Sequence, residues 1–339
     1  MPKILVTGGL GYIGSHTVVE LINAGYEPVI VDDLSNSNPK ILDQITKITG
    51  VRPVFHQLDL CDEAGVNNLA TAEGDIEGII HFAASKAVGE SVQKPLKYYR
   101  NNFYSLINLL NAYYGKPISF VFSSSCTVYG QPDHLPVDEA APVKPAESPY
   151  GNTKQIAEEI LRDMIASGAN YKVISLRYFN PVGAHETALI GELPIGVPQN
   201  LIPFVTQTAI GKREKITVFG DDYNTPDGSC IRDYIHVVDL AKAHVAALKL
   251  MGKDFKGYDV FNLGTGKGNS VLEIIKAFEN TTGVKLNYTI GPRREGDIEQ
   301  VWGNVNKSKE KLHWQTELGI ETMMASAWAW EKYLSQNPL

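Results

Sequence analysis

Cysteine is scarce in this chain. Its three copies in 339 residues, Cys61, Cys126 and Cys230, are odd in number and far apart, with no Cys-x-x-Cys pair. That argues against a disulfide framework and a thiolate metal site, and fits a reducing, cytoplasmic compartment. Long apolar runs are missing as well. None approaches the ~20 residues needed to cross a bilayer, so no membrane partner is expected. Positive charge is in deficit, with 31 Lys and Arg against 38 Asp and Glu. At a net charge of −7 there is no cation excess to displace counterions, which excludes a nucleic-acid-coating role. Met1-Pro2-Lys3 leads straight into an apolar run, with no leader or transit segment expected. Neither an internal repeat nor a low-complexity tract is present.

What the chain does have is glycine at an informative spacing. Gly8-Gly9-Leu10-Gly11-Tyr12-Ile13-Gly14 directly follows the apolar run Ile4-Leu5-Val6-Thr7. Such a side-chain-poor turn between a first strand and a first helix lets a dinucleotide pyrophosphate rest on free backbone N–H groups. The helix dipole adds to the attraction, and a Cβ at the turn would hold the phosphate away. The alternative is an ordinary strand-turn-helix with glycines placed for packing. The rest of the chain has to decide.

Length alone predicts about two domains. Apolar runs at Ile4–Thr7, Pro28–Val31, Pro53–Gln57, Gly78–Phe82, Ile118–Phe122 and Lys172–Leu176 read as strands. Helical patterns lie between them, among them Ile13–Ala24 and Tyr98–Tyr114. Strands separated by helices imply parallel pairing and right-handed crossovers, hence an α/β doubly wound sheet buried on both faces. After about Asn180 the glycines and prolines Pro181, Gly183, Gly191, Pro194, Gly196, Pro198 and Pro203 break any long element. Residues 1–180 are therefore expected to form a Rossmann-type dinucleotide domain and 181–339 a smaller α/β lobe. The stretch 237–263, a helical pattern and a short strand, is the candidate to return to the first domain.

Val29-Ile30-Val31-Asp32-Asp33 ends the second strand with two carboxylates about twenty residues past the turn. A carboxylate there can accept hydrogen bonds from ribose hydroxyls, and two together disfavour a 2′-phosphate, so NAD is expected rather than NADP. Asp59-Leu60, after the third strand, is placed to meet an adenine edge, with a purely structural role equally open. At the end of the fifth strand stands Ser123-Ser124-Ser125, and Tyr150 and Lys154 follow four residues apart on one helical face. An ammonium beside a phenol favours the phenolate, as does an oxidised nicotinamide, bringing a group of ordinary pKa near 10 towards neutrality. Such a tyrosine can take a proton from an alcohol as hydride leaves its carbon, with a serine bonded to the same oxygen. Sixteen tyrosines make one Tyr-x-x-x-Lys about what chance supplies. The pair gains meaning from following a strand-end serine cluster and a dinucleotide turn.

Together these motifs resemble the extended short-chain dehydrogenase/reductase family. Five further segments resemble its UDP-galactose (UDP-glucose) 4-epimerases: His81-Phe82-Ala83-Ala84, Lys86 to Ser91, Arg177 to His185, Arg232 to Val237, and Arg293 to Asp297. The likeness covers nearly the whole chain. It implies Tyr150 as base, Lys154 as its activator and nicotinamide-ribose anchor, and Ser125 as hydroxyl partner. It places Gly8, Gly11, Tyr12, Ile13, Gly14, Asp32, Asp33, Asn36, Asp59, Leu60, Phe82, Ala83, Lys86, Asn101, Ser123 and Tyr178 at NAD. It gives Asn180, Asn200, Leu201, Phe219, Arg232, Arg294 and Asp297, with Ser125 and Tyr150, to a UDP-sugar. Arginine pairs suit a diphosphate, although Arg232 and Arg294 taken without the resemblance read sooner as surface ion-pair partners. No metal is implied. A homodimer is implied, with Tyr98–Tyr114 as a face that reads equally as core.

The implied reaction oxidises and re-reduces sugar carbon 4, with the ketone swinging between the two hydride transfers. Nucleotide-sugar 4,6-dehydratases share the first step but need carboxylate acid–base chemistry, which relatives place just after the strand-five Ser/Thr. Cys126 and Thr127 stand there in this chain. A non-catalytic NAD-binding regulator is the remaining alternative, and it has no need of the Tyr/Lys pair. Counted along from Asp297, Val301 matches the family position that walls the sugar's 2-substituent, which can carry a bulky Tyr in enzymes restricted to glucose and galactose. The alternative reading is a packing substitution without consequence, or one whose space neighbouring residues refill. A smaller wall removes the steric penalty against an acetamido group, so UDP-GlcNAc and UDP-GalNAc are expected as substrates too.

Overall fold

The computed structural model describes residues 1–252, 255–294 and 298–339. Alternating strands and helices open the chain: β1 (Lys3–Thr7), α1 (Tyr12–Asn23), β2 (Glu27–Asp32), α2 (Lys40–Thr49), β3 (Val54–Gln57) and α3 (Glu63–Ala72). They continue with β4 (Gly78–His81), α4 (Val88–Gln93), α5 (Pro95–Ala112), β5 (Ile118–Ser125), α6 (Pro149–Ala166) and β6 (Tyr171–Tyr178). Shorter pieces follow: β7 (Asn180–Val182), α7 (Leu201–Ala209), β8 (Ile216–Phe219), β9 (Ile231–His236), α8 (Val237–Met251) and β10 (Gly257–Leu263). The last are β11 (Gly268–Ser270), α9 (Val271–Thr282), β12 (Tyr288–Gly291), β13 (Gln300–Val301) and α10 (Ile320–Gln336).

Seven strands form one parallel sheet in the order β3-β2-β1-β4-β5-β6-β10. The doubly wound reading of the sequence holds. Side chains alternate between two cores, as the pleat requires. Ile4, Val6, Ile30, Ile80 and Ile174 face a cluster with α1 and α8. Leu5, Val29, Ile79, Phe120 and Val173 face another that includes Leu109 of α5 and Leu161 of α6. Burial on both faces explains why these strands read as unbroken apolar runs. Strand order reverses between β2 and β4 on either side of β1, so a crevice opens at their carboxyl ends. Thr7, Asp32, His81 and Ser125 all end strands on that rim.

Two strands outrun their apolar stretches. β5 and β6 stay paired through Ser125 and Tyr178, because polar side chains at a sheet's end keep the ladder while bonding each other. The serine cluster is therefore strand, not loop. α8 packs on the α1 side of the sheet, and β10 adds the seventh strand beside β6. The remaining strands make a four-stranded sheet of β11, β9, β13 and β7 and a parallel pair β8–β12. Val182, Val205, Tyr234, Ile274, Phe278, Met323 and Met324 fill that smaller α/β unit.

Candidate active site

The glycine turn is built for a ligand rather than for packing alone. Gly8 has φ +68°, and a Cβ on it would sit 3.0 Å from the Ala83 nitrogen. On Gly14 a Cβ would fall 2.2 Å from the Gly8 carbonyl oxygen, and on Gly11 3.1 Å from the same atom. Gly11 caps the start of α1 without any side-chain hydrogen bond, so the first helical N–H groups face the crevice. Asp32 pins this turn from the neighbouring strand. Its Oδ2 accepts from the Leu10 amide at 3.0 Å, and its Oδ1 from Leu34 N and Ser37 Oγ at 3.0 and 2.7 Å. Three acceptor positions are thus taken, and a carboxylate has about four. Asp33 is exposed and accepts from Ser35 N and Oγ. These features fit a dinucleotide: a cradle that any Cβ would fill, a helix N-terminus, and a carboxylate at the second strand's end.

Around the cradle, Tyr12 donates to the Gly183 carbonyl at 2.6 Å, while Ile13 packs against the α1-side core. The Ala83 amide donates to Thr7 Oγ1 at 3.3 Å, and Phe82 lies 4.7 Å from the His244 ring. Asn36, Asp59 and Lys86 are exposed along the rim, and Leu60 is buried in the core with Asn108 bonded to its carbonyl. Asn101 donates to Asn102, which in turn bonds Thr153 on α6.

The Tyr150 helix begins at a serine cap. Ser148 accepts from Gly151 N at 3.1 Å as N-cap, and Pro149 takes the first helical position. Tyr150 and Lys154 then project one turn apart towards β5. Lys154 is 4% exposed and donates to the Ser123 carbonyl at 2.6 Å. Its Nζ stands 4.8 Å from the Phe122 ring centre and 5.9 Å from that of Tyr150. Ser123 Oγ bonds the Tyr178 hydroxyl, and Ser125 lies opposite Tyr178 in the β5–β6 register. Five of the anticipated residues are thus brought together at one strand end.

The protein's own groups do not lower the Tyr150 phenol, and the sequence expectation joins the ammonium to an oxidised nicotinamide. Burial pushes the Tyr150 phenol far above its usual value, the nearby Tyr178 adds to the rise, and Ser125 offsets only part of it. Burial likewise brings the Lys154 ammonium down to about 7, against which the Glu158 carboxylate works. The phenol is therefore not acidified by the protein alone. Desolvation is the largest influence on the ring.

On the other side of the crevice, Asn180 opens β7, which pairs with β9 at Tyr234. Arg232, on β9, lies beside Val301 of β13 and donates to the Ile231 carbonyl at 2.8 Å. Val301 is buried among Val128, Tyr129, Val137 and Phe179. Phe219 is 43% exposed at the end of β8, with the Arg294 guanidinium 5.8 Å from its ring centre. Asn200 precedes Leu201 at the head of α7 and donates to Glu192 Oε1 at 2.6 Å. Asp297 lies outside the described residues.

Residues 5–327 match the family model described as GDP-mannose 4,6 dehydratase. A UDP-glucose 4-epimerase from Bacillus subtilis (strain 168) is 50% identical over 331 residues, covering 97% of this chain and 96% of that protein. This chain belongs to the UDP-glucose 4-epimerases, within the extended short-chain dehydrogenase/reductases. The epimerase from Stenotrophomonas maltophila, solved with NAD and formylated UDP-arabinopyranose, superposes at TM-score 0.95 with 46% identity and 99% of both chains covered. A UDP-Glc/GlcNAc 4-epimerase from Campylobacter jejuni is 38% identical at TM-score 0.83, covering 98% of this chain and 99% of that one.

Several residues around this epimerase-family site went unremarked in the sequence. Glu158 continues the Tyr150–Lys154 face by another four residues, a signal that was legible. Arg177, bonded to Glu158 across the helix–sheet interface, lay inside a quoted motif but had no reading of its own. Thr7 and His81, joined at 2.8 Å beneath the crevice, each lay inside a quoted segment but had no reading of its own. Glu192, which holds Asn200, is likewise visible only in three dimensions.

Proposed function

We propose that this protein interconverts UDP-galactose and UDP-glucose on NAD held through turnover. Residues 1–180, with 237–263 returning, carry NAD, and the rest of 181–339 holds the UDP-sugar. The observation that carries this reading is the convergence of Tyr150, Lys154, Ser123 and Ser125 at one strand end beside the glycine cradle.

Bound NAD supplies the hydride acceptor, the same hydride on its return, and a positive charge at the site. Tyr150 Oη takes the proton of the sugar 4-hydroxyl and later gives it back. Ser125 Oγ bonds the same sugar oxygen and keeps it in line with the phenol. Lys154, fixed by the Ser123 carbonyl, presents its ammonium to the phenol. Burial that raises the phenol keeps it protonated until the cationic site is complete, which ties the base's action to a loaded enzyme. Arg232 and Arg294 hold the diphosphate and Phe219 offers a ring face to the base, so the nucleotide is gripped while the sugar turns.

A dehydratase reading, which the family model's description raises, lacks its chemistry here. Cys126 follows Ser125, and burial pushes its thiol up to about 12. Thr127 follows in turn, so no carboxylate stands at either position.

The same pocket accepts UDP-GlcNAc and UDP-GalNAc. Support comes from the valine at 301, small beside a tyrosine and next to Arg232 across the strand pair. The protein is cytoplasmic, a reading supported by its few, unpaired cysteines. It acts as a homodimer, a reading supported by Tyr104, Ile107 and Tyr114, exposed along and just past α5. Among the described residues no helix is long and apolar enough to cross a membrane. The test is an assay of the four UDP-sugars without added NAD, with mass detection of the bound cofactor. Comparing kcat/KM for acetylated and plain substrates in Val301→Tyr decides the acetamido question. An unchanged ratio removes it.

A further inference from the structure

We propose that Glu158 is a positioning residue for this reaction: anchored by Arg177 and Ser124, it keeps Lys154 protonated inside the sheet–helix interface. The proposal rests on the reading of Lys154 given above. Tyr150, Lys154 and Glu158 follow at four-residue intervals on α6, so they share one face. Lys154 is 4% exposed and Glu158 1%. Glu158 Oε1 accepts from Ser124 Oγ at 2.6 Å and Arg177 Nε at 2.9 Å, and Oε2 accepts from Arg177 Nη2 at 2.5 Å. Arg177 in turn lies 4.8 Å over the Tyr129 ring, whose hydroxyl donates to Asn262 Oδ1 at 2.6 Å.

A buried ion pair is an inefficient way to hold a helix on a sheet. Two apolar side chains of similar volume commonly do as well or better, because no charge has to leave water. A pair retained in that place calls for a role that needs charge. Lys154 supplies one. It must hold an ammonium out of water one helical turn away, and Glu158 is the carboxylate that opposes the cost. Ser124 also sits between Ser123, whose carbonyl binds Lys154, and Ser125. The bond to Ser124 therefore fixes the strand segment that aims both.

The other groups facing Lys154 do not compete for that role. His81, from β4, is held neutral, burial bringing its ring down to about 3. Tyr178, from β6, is pushed up to about 12, and Tyr150 on α6 is raised further still. β5 offers the Phe122 ring and the Ser123 carbonyl, neither of which titrates. Arg177, from β6, is engaged by both Glu158 oxygens.

Two measurements test this. In protein carrying 13C-labelled lysine, the Lys154 side-chain signal, assigned by its loss in Lys154→Met, is titrated in wild type and Glu158→Gln. The variant's midpoint is expected about one pH unit lower, so that above the midpoint the charged fraction falls about tenfold. The kcat–pH profile should follow, with the alkaline limb displaced by the same amount and the value on the acidic plateau nearly unchanged. Because Glu158→Gln strands the Arg177 cation, Glu158→Gln/Arg177→Gln is measured beside it, with a smaller fall in midpoint expected. A midpoint unmoved in whichever of the two folds overturns the proposal, as does a loss of kcat that is uniform across pH. The titration needs no turnover, so a wild type inactive on UDP-sugars would overturn the epimerase reading alone.

Discussion

Gly14 lies so close to Gly8 that a Cβ on it would fall 2.2 Å from the Gly8 carbonyl oxygen. The obstacle is backbone at the cofactor turn, and it cannot swing aside as a flexible side chain would. Gly14→Ala must push α1 away from the turn, at about 1–3 kcal/mol by analogy with overpacked cores. The expected outcome is a lower Tm together with loss of co-purifying NAD, read by mass spectrometry of the denatured protein. Full NAD content and an unchanged Tm would mean that the turn tolerates the methyl group and that the close approach is not needed.

Tyr150→Phe removes one oxygen and keeps the ring. With general acid–base catalysis contributing roughly 10²–10⁴-fold, kcat should fall within that range. NAD content and Tm should stay near wild type, since the ring's packing is retained and the raised phenol carries no charge for the variant to lose. Single-turnover spectroscopy of the nicotinamide with UDP-glucose checks the assignment directly. Undiminished reduction in the variant would remove Tyr150 from the chemistry.

The fold was legible in the sequence because its strands are buried on both faces, which leaves unbroken apolar runs such as Val29–Val31. The Tyr150–Lys154 pair was legible because a helix puts residues four apart together. What was not legible depends on burial and on tertiary pairing. The expected acidification of Tyr150 was argued from Lys154 and an oxidised nicotinamide together. Desolvation, which pushes the phenol the other way, is a property of everything packed around the ring. Glu158 could have been found by extending the helical face one more turn, whereas its bonds to Ser124 and Arg177 needed the β5–β6 register. Asn200 was expected at the UDP-sugar from the family resemblance, and nothing in the sequence pointed to Glu192 as its partner.

His244 gives a pH dependence whose sign can be worked out. It lies between Phe82 and Tyr178, with Nδ1 against the Leu240 carbonyl and Nε2 buried without a hydrogen-bond partner among the described residues. Burial brings its ring down to about 4. The unfolded chain binds a proton at this ring below about pH 6.5, and the folded protein does not until about pH 4. Its contribution to stability is therefore lost as pH falls through that window, at up to about 1.4 kcal/mol per pH unit. His244→Phe keeps an aromatic ring there and abolishes the titration. Urea unfolding from pH 6.5 down to 4 should give a stability–pH slope shallower than wild type by about that amount. Parallel slopes in the two proteins would show that His244 titrates normally.

Asn200 is held by a carboxylate rather than capping its own helix. Its Nδ2 donates to Glu192 Oε1 at 2.6 Å, and as N-cap of α7 it makes no side-chain bond to the helix. Glu192 is itself fixed. Its carbonyl accepts from Trp330 Nε1 at 2.8 Å, and the preceding Gly191 is so close to that indole that a Cβ would lie 2.5 Å from it. Burial raises the carboxyl, and the Lys86 ammonium works against the rise, with Asn200 adding a smaller share. If Asn200 contacts the UDP-sugar, Glu192 sets where its amide points. Glu192→Ala frees that amide, and a hydrogen bond to a charged group is worth about 1.5–3 kcal/mol, so KM for UDP-galactose should rise by roughly tenfold or more. Glu192→Gln keeps an acceptor for Asn200 and should restore most of the loss. The chemistry at Tyr150 is untouched, so kcat and NAD content should remain near wild type in both. Steady-state kinetics across the pair checks this, and a KM unchanged in Glu192→Ala would show that Asn200 needs no support to engage the substrate, or does not engage it at all.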